Sequence, residues 1–151
     1  MEIKVYTPHL PNRLRYALDL VLHQVGEMSF SIVQDLESLQ PDDYVINYSG
    51  TRIENSFQVH PFGLLFEKDI QNHDVPFDYR KDEFLVSLFP TEFDDLGFDI
   101  FSASFFLASR YEEYRNFEAD SHGRFQPKDS IQSKIGILKR PIINIWVQAL
   151  K

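Results

Sequence analysis

The sequence predicts a single α/β or α+β domain, in which a mixed β-sheet of about four to six strands carries three main helices. Short runs rich in β-branched and aromatic residues, bounded by turn residues, predict the strands. Apolar residues at helical spacing predict helices near residues 11–26, 99–115 and 141–151. No linker rich in Ser, Gly or Pro divides the 151 residues, so we expect one core.

The predicted strands share an alternation of apolar and polar residues, or a β-rich run ended by Pro or Gly. They cover Glu2–Tyr6, Met28–Val33, Tyr44–Tyr48, Phe57–His60 and Phe84–Phe89. The first strand, first helix and second strand permit a right-handed βαβ unit, whereas the later runs also suit antiparallel pairs. We therefore predict a mixed sheet.

The middle of the chain is less clearly patterned. Gly63–Ile70 fits a strand or a loop equally well, and Gln71–Asp82 is predicted to be a polar loop. The topology of residues 50–82 stays open at this point.

The first helix is the most regular. Its apolar residues recur at i, i+3, i+4 and i+7 from Leu14 to Val25. Pro11 suits its first turn, and Gly26 is placed to end it.

The central helix is unusually apolar. Asp99 is placed to cap it, and nearly every residue from Ile100 to Ala108 is apolar or small, which predicts burial on most sides. A short turn is predicted from Ser130 to Gly136.

Pro141 opens the last helix, which carries one apolar face. That face is predicted to be core or an interface to another domain, and its residues are Ile142, Ile145 and Trp146. Because this helix runs to Lys151 with no stop signal, we expect residues 1–151 to be the N-terminal part of a longer protein.

Composition excludes several classes of function. Fifteen basic and 23 acidic residues give a formal charge of −8, so a nucleic-acid backbone would be repelled. The absence of Cys excludes disulfides, thiolate zinc sites and a Cys nucleophile. Neither a signal peptide nor an apolar run of the ~20 residues that cross a bilayer is present, so we expect a cytoplasmic chain without a membrane span.

A dense polar segment follows the central helix and is the main candidate for a binding surface. Its candidate residues are Arg110, Tyr111, Glu112, Glu113, Asp120, His122 and Arg124. Such side chains grip anions with paired hydrogen bonds, exchange protons or hold sugar hydroxyls. Where a buried helix emerges, they would form a concave polar surface.

Two other interpretations of this segment stay open. Arg110 and Glu113 stand three residues apart and also suit an ordinary intrahelical ion pair, worth about 0.2–0.5 kcal/mol. In a catalytic interpretation, Glu112 or Glu113 acts as a base and Arg124 holds an anion. A structural or oligomerisation module, with an apolar patch on the last helix, is a further alternative.

The usual motifs for metals, cofactors and nucleophiles are missing. The His residues, at positions 9, 23, 60, 73 and 122, are never three or four residues apart, so no helical two-His metal site can be written. Neither Gly-x-Ser-x-Gly nor a phosphate-binding or dinucleotide-binding Gly-rich loop occurs. We therefore expect no cofactor and no metal.

Five segments together resemble the uncharacterised N-terminal domain of bacterial polysaccharide-deacetylase-like proteins. They are Phe98–Tyr114, Asp120–Phe125, Pro141–Trp146, Ile46–Ser49, and His60–Pro61 followed by Leu64–Glu67. The resemblance covers most of the chain, and the central helix is its most specific element. It implies that a deacetylase-like catalytic domain follows in the same polypeptide.

Deacetylase domains of that kind hold a divalent metal with an Asp-Asp motif and a His-x-x-x-His pair. Asp94 and Asp95 superficially match the first motif, but no His pair accompanies them, so no catalytic residue is carried over. The resemblance thus implies a non-catalytic accessory domain that positions the catalytic domain or its glycan substrate.

Overall fold

The computed structural model describes residues 2–67, 77–80, 85–91, 95–109, 111 and 142–150. Within them, four short strands form one parallel sheet in the order β2-β1-β3-β4. The strands are β1 (Ile3–Tyr6), β2 (Phe30–Val33), β3 (Tyr44–Asn47) and β4 (Phe57–Gln58). The predicted α/β class is confirmed, and each of these strands lies within a predicted one.

The sheet buries one of its faces. Val5 pairs with Ile32 on one side and Ile46 on the other, so these apolar side chains share a face. Val5 and Ile46 are buried there, in a core that the helices complete.

Three helical segments pack together against this core. The first, α1 (Asn12–Leu18), continues directly as a π-helical extension (Asp19–Val25) and confirms the predicted helix of residues 11–26. The others are α2 (Ile100–Ala108) and α3 (Ile142–Leu150). Leu14, Leu18 and Leu22 on the first helix are fully buried, as their spacing predicts.

Antiparallel pairing occurs outside the parallel sheet. Strand β5 (Phe77–Arg80) pairs antiparallel with β6 (Leu85–Leu88) as a separate two-stranded unit, not as part of one mixed sheet. The predicted polar loop Gln71–Asp82 is therefore wrong over Phe77–Arg80. Its charged residues suggest a loop, but alternation of aromatic and charged residues is also the pattern of a hairpin strand.

Two short 3₁₀ turns complete the described fold, at Leu36–Ser38 and Leu64–Phe66. The second turn lies in the ambiguous segment Gly63–Ile70, of which residues 68–70 lie outside the described residues. Gly63 precedes it with a φ of 122°, a conformation that glycine adopts without strain. The central α-helix ends at Ala108, and residues 110 and 112–115 of the predicted helix lie outside the described residues. The turn predicted from Ser130 to Gly136 also lies outside them.

Candidate functional site

The carboxyl ends of the parallel strands are the first place to look for a site. Ligands in open α/β sheets usually bind there, at the point where the strand order reverses. In the order β2-β1-β3-β4 this point lies between β1 and β3. Several polar side chains at or just beyond the ends of β1, β3 and β4 are buried, and they include Thr7, Asn47, Ser49 and Gln58.

These side chains bind one another and the backbone. The Asn47 side-chain amide donates to the Gln58 side-chain oxygen and to the Thr51 carbonyl. The Ser49 hydroxyl donates to Asn47 Oδ1 at 2.6 Å, and Gln58 Nε2 donates to the Ser49 carbonyl at 2.8 Å. The network therefore holds the turn after β3 against β4.

A buried carboxylate, Asp99, joins this edge of the sheet to the central helix. Its Oδ1 accepts from the backbone N–H groups of Phe101 and Ser102, which is the predicted helix cap. Its Oδ2 accepts from the hydroxyls of Tyr48 and Ser102, each at 2.6 Å, and from the Phe62 N–H at 2.8 Å. One side chain thus joins three separate parts of the chain.

Burial sets the acid–base behaviour of Asp99 and Tyr48. It raises the pKa of Asp99, while the hydrogen bonds from Phe62, Ser102 and Tyr48 act in the opposite direction. Burial also raises the pKa of Tyr48 well above its ordinary value, and the adjacent Asp99 charge adds to this. Both oxygens of the carboxylate are occupied, so this cluster stabilises the fold instead of presenting a reactive group.

A cleft opens at the opposite edge of the sheet, where the strands begin. It has a volume of about 750 Å³, which is within the range of small-ligand sites. Its described lining residues are Ile3, Gly26, Glu27, Met28, Asp43, Tyr44, Val45, Ile46, Asn55, Phe57 and Leu150. The first residues of β1, β3 and β4 therefore meet the end of α3 there.

An exposed aromatic ring and three polar side chains distinguish this cleft. Tyr44 is 62% exposed although it begins a central strand. Asp43 Oδ2 accepts from the Gln40 N–H at 2.8 Å, a contact that anchors the carboxylate. Glu27 and Asn55 have φ of 55° and 59°, left-handed conformations that are uncommon for residues other than glycine and that occur frequently near binding sites.

Residues 3–151 match the model of a protein family described as a family of unknown function, DUF7033. The chain belongs to the DUF7033 family. The match covers nearly the whole DUF7033 chain, so the described sheet and helices lie within the family's domain. No curated protein and no solved structure matches the chain at a significant level. The likeness to deacetylase-like proteins stays a resemblance.

Of the predicted polar surface, the structure describes one residue. Tyr111 is 2% exposed and packs on Phe106, with ring centroids 5.5 Å apart. The Arg13 guanidinium lies 5.5 Å from the centroid of the Tyr111 ring. The remaining candidates, which lie outside the described residues of this DUF7033 chain, are Arg110, Glu112, Glu113, Asp120, His122 and Arg124.

The predicted interface residues of the last helix pack within the chain. Trp146 is 0% exposed and lies against Phe98, with ring centroids 5.3 Å apart. Ile142 is also buried, and Ile145 is half-buried against the same core. Their apolar surface is therefore used inside this domain.

The cleft residues carry no signal in the sequence. Tyr44 fits a strand pattern, Asp43 belongs to a turn, and Asn55 belongs to a connection.

Among the residues that the structure describes, no group of three His, Asp or Glu side chains is placed to hold a metal ion. No helix in the same part of the chain is long and apolar enough to span a bilayer.

Proposed function

We propose that this chain is a non-catalytic accessory domain of a polysaccharide-deacetylase-like protein, where it positions the catalytic domain or its glycan substrate. The deacetylase context is supported by the resemblance of the central helix and its flanking segments. The accessory role is supported by how the described polar side chains are used.

The observation that carries the proposal is the state of the carboxyl edge of the sheet. Enzymes built on parallel sheets commonly place reactive side chains there, with an atom available to the substrate. Here Asn47, Gln58 and Asp99 are buried. Asn47 and Gln58 hydrogen-bond to each other, and all three side chains hydrogen-bond to backbone groups. Among the residues that the structure describes, these side chains support the fold and leave little for a substrate to bind.

The charge of the chain favours a glycan over a nucleic acid as the partner. A formal charge of −8 opposes the approach of a phosphate backbone, whereas sugar hydroxyls hydrogen-bond readily to carboxylates and amides. An accessory domain of this kind would raise the local concentration of the polymer near the catalytic domain.

The test measures acetate release from an acetylated oligosaccharide by the isolated chain and by the parent protein with and without residues 1–151. We expect no release by the isolated chain. In the parent protein, deletion of the domain is expected to raise KM for the polymer with little change in kcat, because uniform binding is lost.

Acetate release by the isolated chain that disappears in Glu113→Gln would contradict the proposal and favour the hydrolase alternative. Glu54→Gln is the matched control, because Glu54 is exposed and does not belong to the predicted polar segment. An unchanged KM for the polymer after deletion would also contradict the positioning role.

A further inference from the structure

We infer that the cleft at the amino ends of β1, β3 and β4 binds a glycan whose sugar units carry free, protonated amines. This inference rests on the proposed function, because it takes the accessory role as the reason for a glycan site. It adds the location of the site and the chemical class of its ligand.

The ring of Tyr44 is the first element of the argument. Large aromatic side chains usually bury most of their surface, yet Tyr44 is 62% exposed at the mouth of a concave site. The flat apolar face of a sugar ring packs on such a ring, and the ring also attracts a nearby ammonium group. Phe57 and Met28 extend the apolar lining beside it.

The polar lining selects the charge of the ligand. Asp43 and Glu27 contribute carboxylates, and Asn55 contributes an amide that both donates and accepts. None of the described lining residues is Lys, Arg or His. With a formal charge of −8 on the whole chain, the cleft attracts cations and repels acidic sugars.

Local backbone structure sets where two of these side chains leave the chain and anchors the third. Glu27 and Asn55 sit in left-handed conformations, which set the direction of each Cα–Cβ bond. The Asp43 carboxylate is held by the Gln40 N–H. Such preorganisation lowers the entropy that binding must overcome.

The experiment titrates the 151-residue chain with two tetrasaccharides, one of glucosamine and one of N-acetylglucosamine, by calorimetry. It is run at a pH where the amines are protonated, in about 0.02 M and about 0.5 M salt. We expect the amine form to bind about five- to tenfold more tightly at low salt, with the preference largely lost at high salt.

Variants assign the binding to the cleft. Tyr44→Ala is expected to weaken the binding of both sugars about tenfold. Tyr16→Ala alters another exposed tyrosine, outside the cleft, and is expected to leave both affinities unchanged. Asp43→Asn is expected to weaken only the binding of the amine form, by about two- to fivefold. Asp42→Asn is its matched control, because Asp42 is exposed but does not line the cleft.

Each outcome has a defined meaning. Equal affinity for the two sugars, or binding that Tyr44→Ala leaves intact, overturns the inference and leaves the accessory role standing. An absence of binding to either sugar also overturns it. Failure of the accessory role appears separately, as acetate release by the isolated chain.

Discussion

Asp99 caps a helix, joins distant segments of the chain by hydrogen bonds and is a buried acid. Its position before an apolar helix predicts the cap, and the hydrogen bonds from the N–H groups of Phe101 and Ser102 confirm it. The contacts to Tyr48 and Phe62 come from segments far away in sequence. Loss of any of these donors leaves a buried carboxylate less well satisfied, which is costly.

Tyr48→Phe tests the hydrogen bond between the Tyr48 hydroxyl and the Asp99 carboxylate. Removal of a hydrogen bond to a charged group is expected to lower the free energy of unfolding by about 1.5–3 kcal/mol near neutral pH. Because the Tyr48 hydrogen bond lowers the Asp99 pKa, the variant should raise that pKa further. Urea denaturation and a carboxyl ¹³C titration measure the two effects.

The pH dependence has a defined sign. The folded pKa of Asp99 lies above its reference value of 3.8, so the folded state keeps the proton to higher pH than the unfolded state. This contribution to stability is complete below 3.8 and is lost as pH rises through the folded pKa. Tyr48→Phe should therefore differ from the parent chain least in acid and most above that pKa. Tyr44→Phe, at an exposed hydroxyl, is the control with no expected change.

At the scale of elements, the first helix ends by a route that its sequence only partly predicts. Gly26 does end it, but with φ of −79°, and the left-handed residue is Glu27 instead. Glycine is needed at position 26 for space. A Cβ atom there would lie 2.8 Å from the backbone oxygens of Val21 and Leu22 and 2.6 Å from Met28 Cε.

Gly26→Ala is therefore expected to destabilise the chain by about 1–3 kcal/mol, because backbone atoms cannot move aside cheaply. Gly50→Ala is the matched control, since its Cβ would meet only His60 Cε1, at 4.0 Å. Thermal and urea unfolding of both variants provide the comparison. Equal stability of the two variants would show that the turn rearranges freely.

The strands show where local pattern succeeds and where it does not. Alternation in Met28–Val33 and Tyr44–Tyr48 locates β2 and β3 to within two residues, because a half-buried strand repeats every second residue. The charged residues of β5 concealed a strand within a predicted loop. Pairing with β6 supplies the hydrogen bonds that make the strand, and this pairing is not visible in β5 alone.

At the scale of the whole molecule, the last helix decides how the core closes. The apolar face predicted for Ile142, Ile145 and Trp146 suits either a core or a domain interface. In the structure α3 lies against the π-helical extension, and Trp146 is buried beside Phe98. The helix therefore belongs to the hydrophobic core of this domain.

Trp146→Ala should then destabilise the isolated chain by about 3–5 kcal/mol through loss of a large buried side chain. Gln148→Ala, at an exposed position of the same helix, is expected to change stability by less than about 0.5 kcal/mol. Chemical denaturation followed by Trp-independent far-UV circular dichroism measures both. Full stability of Trp146→Ala would restore the interpretation of this face as an interface.

The sequence by itself determined an α/β or α+β domain, the approximate positions of the three helices and the cap at Asp99, because periodicity and capping are properties of neighbouring residues. Only the tertiary structure decided the strand order, the burial of Tyr111 and the cleft beside Tyr44. These depend on contacts between distant residues, as between Tyr48 and Asp99, which are 51 positions apart. Such contacts leave no local pattern, since each partner taken alone looks like an ordinary strand or cap residue.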